Sequence, residues 1–188
     1  AYVYYSDDLG ANWTAVAVGG THAFGATYGG SMYAIDMYHI WLVTTDGATS
    51  EAWFSDDGGE TWTEQVPPAG IYQAIYFSDE DTGMMVGTAD SIATTTDGGG
   101  TWALATATGS GDDFYIVAEN MGGDLWWIGS DGGDLWFSSD HGVIWTQRAF
   151  PGDGAGAVYG IDWATETVGF MVHSPTAATG RVYRTRNG

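Results

Sequence analysis

The chain has 188 residues, 44% of them hydrophobic and 15% aromatic, with 24 Asp and Glu against four basic residues and a formal net charge of −20. The basic residues are all arginines, Arg148, Arg181, Arg184 and Arg186, so nucleic-acid binding through a basic patch is excluded. The aromatic content excludes an acidic disordered tail, no apolar run reaches the roughly 18 residues of a membrane-spanning helix, and the lack of cysteine excludes disulfide frameworks and thiolate chemistry.

In chain order, the first predicted elements are two short strands, Tyr2 to Tyr5 and Thr14 to Val18. Residues 31–66 hold a looser set of strands with a long middle segment around Trp41 to Ser50. Residues 71–106 form the best-defined unit: Ile71 to Phe77, a polar turn from Ser78 to Gly83, then Met84 to Gly87, Ile92 to Thr96, and Trp102 to Thr106. Short runs of β-branched and aromatic residues between turn residues predict strands. Residues 113–150 repeat the scheme as Phe114 to Ala118, Leu125 to Ile128, Leu135 to Ser138 and Trp145 to Arg148. Residues 157–188 repeat it as Val158 to Trp163, Val168 to His173 and Arg181 to Thr185. No window sustains helical periodicity, so the predicted class is all-β.

A turn carries the repeat. Ser or Thr is followed by Asp two positions on, Gly after two more and Trp three beyond that. The four copies are Ser6, Asp8, Gly10, Trp13; Ser55, Asp57, Gly59, Trp62; Thr95, Asp97, Gly99, Trp102; and Ser138, Asp140, Gly142, Trp145. A fifth begins at Thr185 with Asn187 in the Asp position. Successive Asp residues lie 49, 40 and 43 apart, which fits one four-stranded antiparallel sheet per repeat, the blade of a β-propeller. In such a turn the carboxylate accepts backbone N–H groups, Gly takes a conformation closed to other residues, and Trp buries its ring between sheets. These turn residues are therefore expected to be structural.

One propeller domain, or a contiguous segment of a larger ring, is expected over residues 1–188, with blades near 31–66, 71–106, 113–150 and 157–188. The last blade lacks a fourth strand, which residues 1–18 supply if the ring closes. If it does not close, open blade edges are candidates for self-assembly.

The pattern Phe77, Gly83, Val86-Gly87, Ile92, Thr94, Thr96-Asp97-Gly98-Gly99, Thr101-Trp102 resembles the Asp-box, or BNR, repeat. That repeat occurs in sialidases, sortilin-type receptors, xyloglucan-degrading glycosidases and a photosystem-assembly-factor family, and the form here looks most like the last. The resemblance implies a propeller whose boxes join the third and fourth strands of each blade, on the face away from the usual ligand site. Function does not follow, since the same box sits in enzymes, receptors and scaffolds.

A sialidase-like site needs an arginine cluster, and three of the four arginines here lie together near the C-terminus with no matching motif. A glycosidase needs two carboxyl groups roughly 5 to 10 Å apart. Asp36 and Asp162 fall late in first strands, the strands that line a propeller channel, and are the candidate catalytic pair under that reading, with Glu119 and Asp79 adding to an acidic funnel. Asp79-Glu80-Asp81-Thr82-Gly83 has the spacing of a partial calcium loop without its later Glu, so Asp79 and Asp81 are weak calcium candidates; no other cofactor is expected. His22, His39, His141 and His173 show no paired zinc spacing. Tyr28, Trp126, Trp127 and Trp163 are candidate ligand-binding aromatics, with packing between blades as their alternative role. The expected function is a non-catalytic binding or scaffold module for a protein or glycan partner. A glycoside hydrolase fragment and a self-assembling structural subunit are the alternatives. The carboxylate excess suggests an extracellular, periplasmic or virion-surface setting, or concentrated salt.

Overall fold

Short strands that alternate with tight polar turns fold back on themselves as antiparallel meanders, and in the computed structural model of the chain this happens five times. The structure describes residues 2–20, 31–123, 125–148, 156–176 and 179–186, apart from the side chain of Thr176. Among them are seventeen strands and no helix. A two-stranded sheet of β1 (Tyr2–Tyr5) and β2 (Thr14–Ala17) comes first. Three four-stranded blades follow. They are β3 (Ser31–Ala34), β4 (Ile40–Thr45), β5 (Ser50–Ser55) and β6 (Thr63–Gln65); β7 (Tyr72–Phe77), β8 (Gly83–Gly87), β9 (Ile92–Thr95) and β10 (Ala103–Leu104); and β11 (Phe114–Glu119), β12 (Trp126–Ser130), β13 (Leu135–Ser138) and β14 (Thr146–Arg148). The last sheet has three strands, β15 (Ala157–Trp163), β16 (Gly169–Thr176) and β17 (Thr179–Arg184).

The second strands β8 and β12 of the two middle blades are covered on both faces, and their sequences reflect this: every residue in them is buried. Aromatic rings fill the space between blades. Trp41 of β4 stacks on Phe77 of β7 at 3.8 Å, and Phe77 meets the Trp102 ring edge-on at 5.8 Å. Further along, Trp127 lies 5.0 Å from Trp163. The first strands β3, β7, β11 and β15 each adjoin the next, which sets them around a common axis. In three successive blades a register shift breaks the pairing of first and second strands, between Tyr72 and Ala74, Phe114 and Ile116, and Val158 and Gly160. Bulges of this kind bend a strand and re-aim its side chains. At the first of them Gly87 leaves no room for a Cβ, which would run into the Ile71 carbonyl.

Among the described residues, the leading strands do not complete the 157–188 blade: β1 and β2 pair only with each other, and β17 pairs only with β16. The apolar residues of the leading sheet account for its position, because Val3 and Val18 pack against Leu42 and Trp53 of the 31–66 blade. Among the described residues the sheets therefore form an open propeller arc, not a closed ring. The leading sheet also departs from the expected burial of box tryptophans, since Trp13 is 62% exposed whereas Trp102 is 9% exposed.

Candidate functional site

Each box is a local hydrogen-bond network. Ser55 Oγ donates to Asp57 Oδ1 at 2.8 Å and accepts from Gly59 N at 2.8 Å. Asp57 in turn accepts from Thr61 N at 2.9 Å and Thr61 Oγ1 at 2.6 Å. The Thr95 box repeats these contacts with Thr101, and the Ser6 box uses the Asn12 side-chain amide at 2.6 Å. In the Ser138 box the corresponding residue is Ile144, so Asp140 lacks the second side-chain donor and accepts from the Ser138 hydroxyl and the backbone N–H groups of Val143 and Ile144. The box glycine takes a positive φ each time, +88° at Gly99, where a Cβ would be strained. Thr185 N donates to Gly169 O, while Asn187 lies outside the described residues.

The boxes also join blades. Gly98 O accepts from Trp41 Nε1 at 2.9 Å and from Gln65 Nε2 at 2.8 Å, and Trp102 Nε1 donates to Gln65 Oε1 at 3.2 Å. The network holds box carboxyls below their usual range. Asp8 is lowered to about 2, mainly by the Asn12 backbone N–H, and Asp57 to about 2, mainly by the Thr61 hydroxyl. A carboxyl depressed on folding stabilises the fold above its ordinary value of 3.8 and loses that contribution as pH falls through about 2. Asp57→Asn should therefore melt below the parent chain at neutral pH, with the two melting temperatures converging as pH falls through that window. A gap independent of pH would overturn this account.

Asp36 does not join Asp162. It lies in the turn after β3, where its Oδ1 accepts from Tyr38 N and His39 N, both at 2.7 Å. Asp79 does the same 43 residues later for Asp81 N and Thr82 N, and Thr165 Oγ1 does so for Thr167 N and Val168 N. Asp36 thus belongs to a series of turn caps, whereas Asp162 is part of β15. The Asp36 carboxyl is held down to about 2, first by the His39 backbone N–H, and its hydrogen bond raises the His39 imidazole. Glu80 reaches the same imidazole from the next blade, with Oε1 3.9 Å from Nδ1. The donor atoms of Asp36, His39 and Glu80 lie within 4.8 Å of one another, and this set includes neither calcium candidate, Asp79 or Asp81.

The inner strands enclose a different group. A cavity of about 750 Å³ opens between β3, β7, β11 and β15, lined among others by Tyr33, Tyr76, Glu119 and Asp162. These four residues are spaced 43 apart. Each lies opposite an early residue of its second strand: Tyr33 opposite Trp41, Tyr76 opposite Met84, Glu119 opposite Trp126, Asp162 opposite Phe170. They are the same position of four consecutive blades. The Tyr33 and Tyr76 rings lie 4.5 Å apart, tilted by 48°. Burial pushes the Tyr76 phenol well above its usual range, helped by a hydrogen bond with Tyr33 and by the charges of Glu119 and Asp162. Asn120 fixes the adjoining wall, accepting from Leu125 N at 3.0 Å and donating to Glu166 O at 3.3 Å.

The Asp-box resemblance places the usual ligand face away from the boxes. This cleft lies at the box end, because the turns that follow its strands hold the box turns through Gly58 N to Tyr38 O and Gly98 N to Asp81 O. Two of the candidate ligand-binding tryptophans, Trp126 and Trp127, are corrected as well. Trp126 and Trp127 are each 1% exposed and Trp163 is 8% exposed. The Trp126 and Trp127 rings pack inside, Trp126 against Tyr76 and Trp127 against Trp163, whereas Trp163 contributes to the cleft wall. Tyr28 lies outside the described residues.

A family model described as photosynthesis system II assembly factor YCF48 matches residues 64–188. The chain belongs to that family. YCF48 from Cyanidioschyzon merolae is similar in structure with a TM-score of 0.71 at 16% identity, over 99% of this chain and 63% of that one. This chain thus spans less than two thirds of that relative's length. A GH74 enzyme from Niastella koreensis gives a TM-score of 0.61 at 18% identity, over 82% of this chain and 28% of that one. YCF48 bound to D1 peptide gives 0.50 at 15% identity, over 100% of this chain and 72% of that one. At such identities these likenesses concern the fold. No curated protein matches the chain.

Three features of this YCF48-family arc escaped the reading of single motifs. Asn12, Thr61 and Thr101 supply the second box donor, and their signal is a polar side chain four residues after the Asp. Gln65 links two blades from a nearly buried position and leaves no motif. The cleft residues share a 43-residue spacing, visible only once the register of the inner strands is known.

Proposed function

We propose that this YCF48-family chain is a non-catalytic propeller module that binds a polypeptide segment in the cleft between its inner strands. The carrying observation is the cleft itself, a concavity of about 750 Å³ with apolar Met32, Ile75 and Met121 beside the polar Tyr33, Glu119 and Asp162. A relative described as YCF48 bound to D1 peptide supports a protein partner. An extracellular, periplasmic or virion-surface setting is part of the proposal. It is supported by the net charge of −20 in a chain without lysine, which keeps a protein soluble and dispersed.

A glycan is the second reading, favoured by two tyrosines beside two carboxylates in one cleft. Selection of a displayed random-peptide library against the immobilised chain, with a glycan array in parallel, separates the two. Peptides should be recovered, and Met121→Trp, which fills the exposed cleft mouth, should weaken them on the order of tenfold or more. Peptides indifferent to Met121→Trp, or glycan binding without peptide binding, would overturn the proposal.

A further inference from the structure

The turns that follow three inner strands are capped alike, by Asp36, Asp79 and Thr165. Three positions after the cap the chain places His39, Thr82 and Val168. The cap uses only the backbone N–H at that position, so it asks nothing of the imidazole. His39 nevertheless turns Nδ1 onto both oxygens of Asp36, at 3.1 and 3.0 Å, with its ring nearly parallel to Phe54 at 6.2 Å. From the next blade Glu80, 66% exposed, brings Oε1 to 3.9 Å from the same nitrogen. Asp56, within the box turn of the 31–66 blade, adds a third negative charge acting on the ring. Neither blade contains a lysine or arginine to offset these carboxylates.

We infer that His39 is a proton-dependent latch between the first two four-stranded blades, holding the turns after β3 and β7 together when its imidazole is charged. The carboxylates on its two sides respond differently to the proton. A neutral imidazole that carries its hydrogen on Nδ1 still donates to Asp36. Glu80 lies beyond hydrogen-bond reach and gains only from the positive charge. Loss of the proton therefore leaves the Asp36 cap in place and turns the contact between blades from attraction into repulsion among three carboxylates. The same junction forms one wall of the cleft. Tyr33 stands three residues before Asp36 and Tyr76 four before Glu80, and their rings meet at 4.5 Å. Ser78, at the start of the Glu80 turn, lines the cavity directly. Opening of the latch thus acts on the cleft, whatever the cleft binds.

The hydrogen bond to Asp36 raises the imidazole above its ordinary value of 6.5, helped by the charges of Asp36, Glu80 and Asp56. A base raised on folding contributes stability that is complete below its ordinary value and is lost as pH rises through the raised one. The test follows the full chain by NMR between about pH 5 and 9, reading the ring signals of His39, Tyr33 and Tyr76 in the parent, Glu80→Gln and His39→Gln. In the parent, His39 should titrate above 6.5. Glu80→Gln, a change at an exposed side chain, should shift that midpoint down, and added salt should shift it the same way. The Tyr33 and Tyr76 signals should move with the His39 midpoint in the parent. They should hold still through that window in His39→Gln, which keeps the backbone N–H of the cap. Melting temperatures should place the parent above His39→Gln below pH 6.5 and bring the two together as pH rises past the His39 midpoint.

A His39 midpoint indifferent to Glu80→Gln would overturn the contact between blades. Tyrosine signals that stay flat in the parent, or that titrate equally in His39→Gln, would overturn the coupling to the cleft. A melting-temperature gap independent of pH would assign His39 to packing on Phe54 and remove the latch.

Discussion

Replacing Trp41 with Ala is expected to reduce the free energy of unfolding by about 3 to 5 kcal/mol, the range for deleting a large aromatic side chain from a packed interior. The indole is 1% exposed and touches both neighbours of its interface. It stacks on Phe77 at 3.8 Å and lies 4.9 Å from Phe54. Its Nε1 donates to Gly98 O in the next blade, so the substitution removes a contact between blades together with the packing that aligns them. Denaturant titration at constant slope should show the loss as a lower midpoint. Trp41→Phe, which keeps a ring against Phe77 and gives up the N–H donor, should recover much of it. A loss below about 1 kcal/mol for Trp41→Ala would mean that the interface collapses around the cavity and that the stacking is not what joins these blades.

Thr95→Ala is the second large effect, expected at about 1 to 3 kcal/mol, the range for leaving a buried donor without its partner. Thr95 is 3% exposed. Its Oγ1 accepts from the buried Gly99 N at 2.9 Å and donates to Asp97 Oδ1 at 2.8 Å. Without it the turn loses the atom that ties the glycine to the carboxylate. The turn also presents Gly98 O to Trp41 and Gln65, so the damage should extend to the 31–66 blade. Thr95→Ser keeps the oxygen and should restore most of the melting temperature. Equal losses for Ala and Ser would assign the effect to the Thr methyl group and remove the hydrogen bond from the account.

The box turns were legible in the sequence because everything they need lies within eight residues. An Asp and the N–H groups three and four positions later find each other through one tight turn, whatever surrounds it. Strand positions were legible for a similar reason, since β-branched and aromatic runs between glycine-rich turns have little else to form. Trp126, Trp127 and Asp36 show where this stops. A strand covered on both faces and a strand that presents one face to a ligand carry the same aromatic residues, so only the neighbouring sheets settle that Trp126 and Trp127 are interior. Asp36 and Asp162 look alike by distance from the start of a repeat. The register shows that Tyr33 is the true counterpart of Asp162 and that Asp36 corresponds to Asp79, a turn cap.

The sequence by itself therefore determined the repeat, the all-β class, the blades and the chemistry of their turns, all consequences of short-range periodicity and local hydrogen bonding. Only the tertiary structure decided that the leading two strands pack on the 31–66 blade without completing the last one, and that Tyr33, Tyr76, Glu119 and Asp162 face one cavity. Those four residues come from four blades. No local interaction relates them, and what brings them together is the packing of each inner strand against the next around a common axis, a consequence of aromatic side chains filling the wedges between sheets.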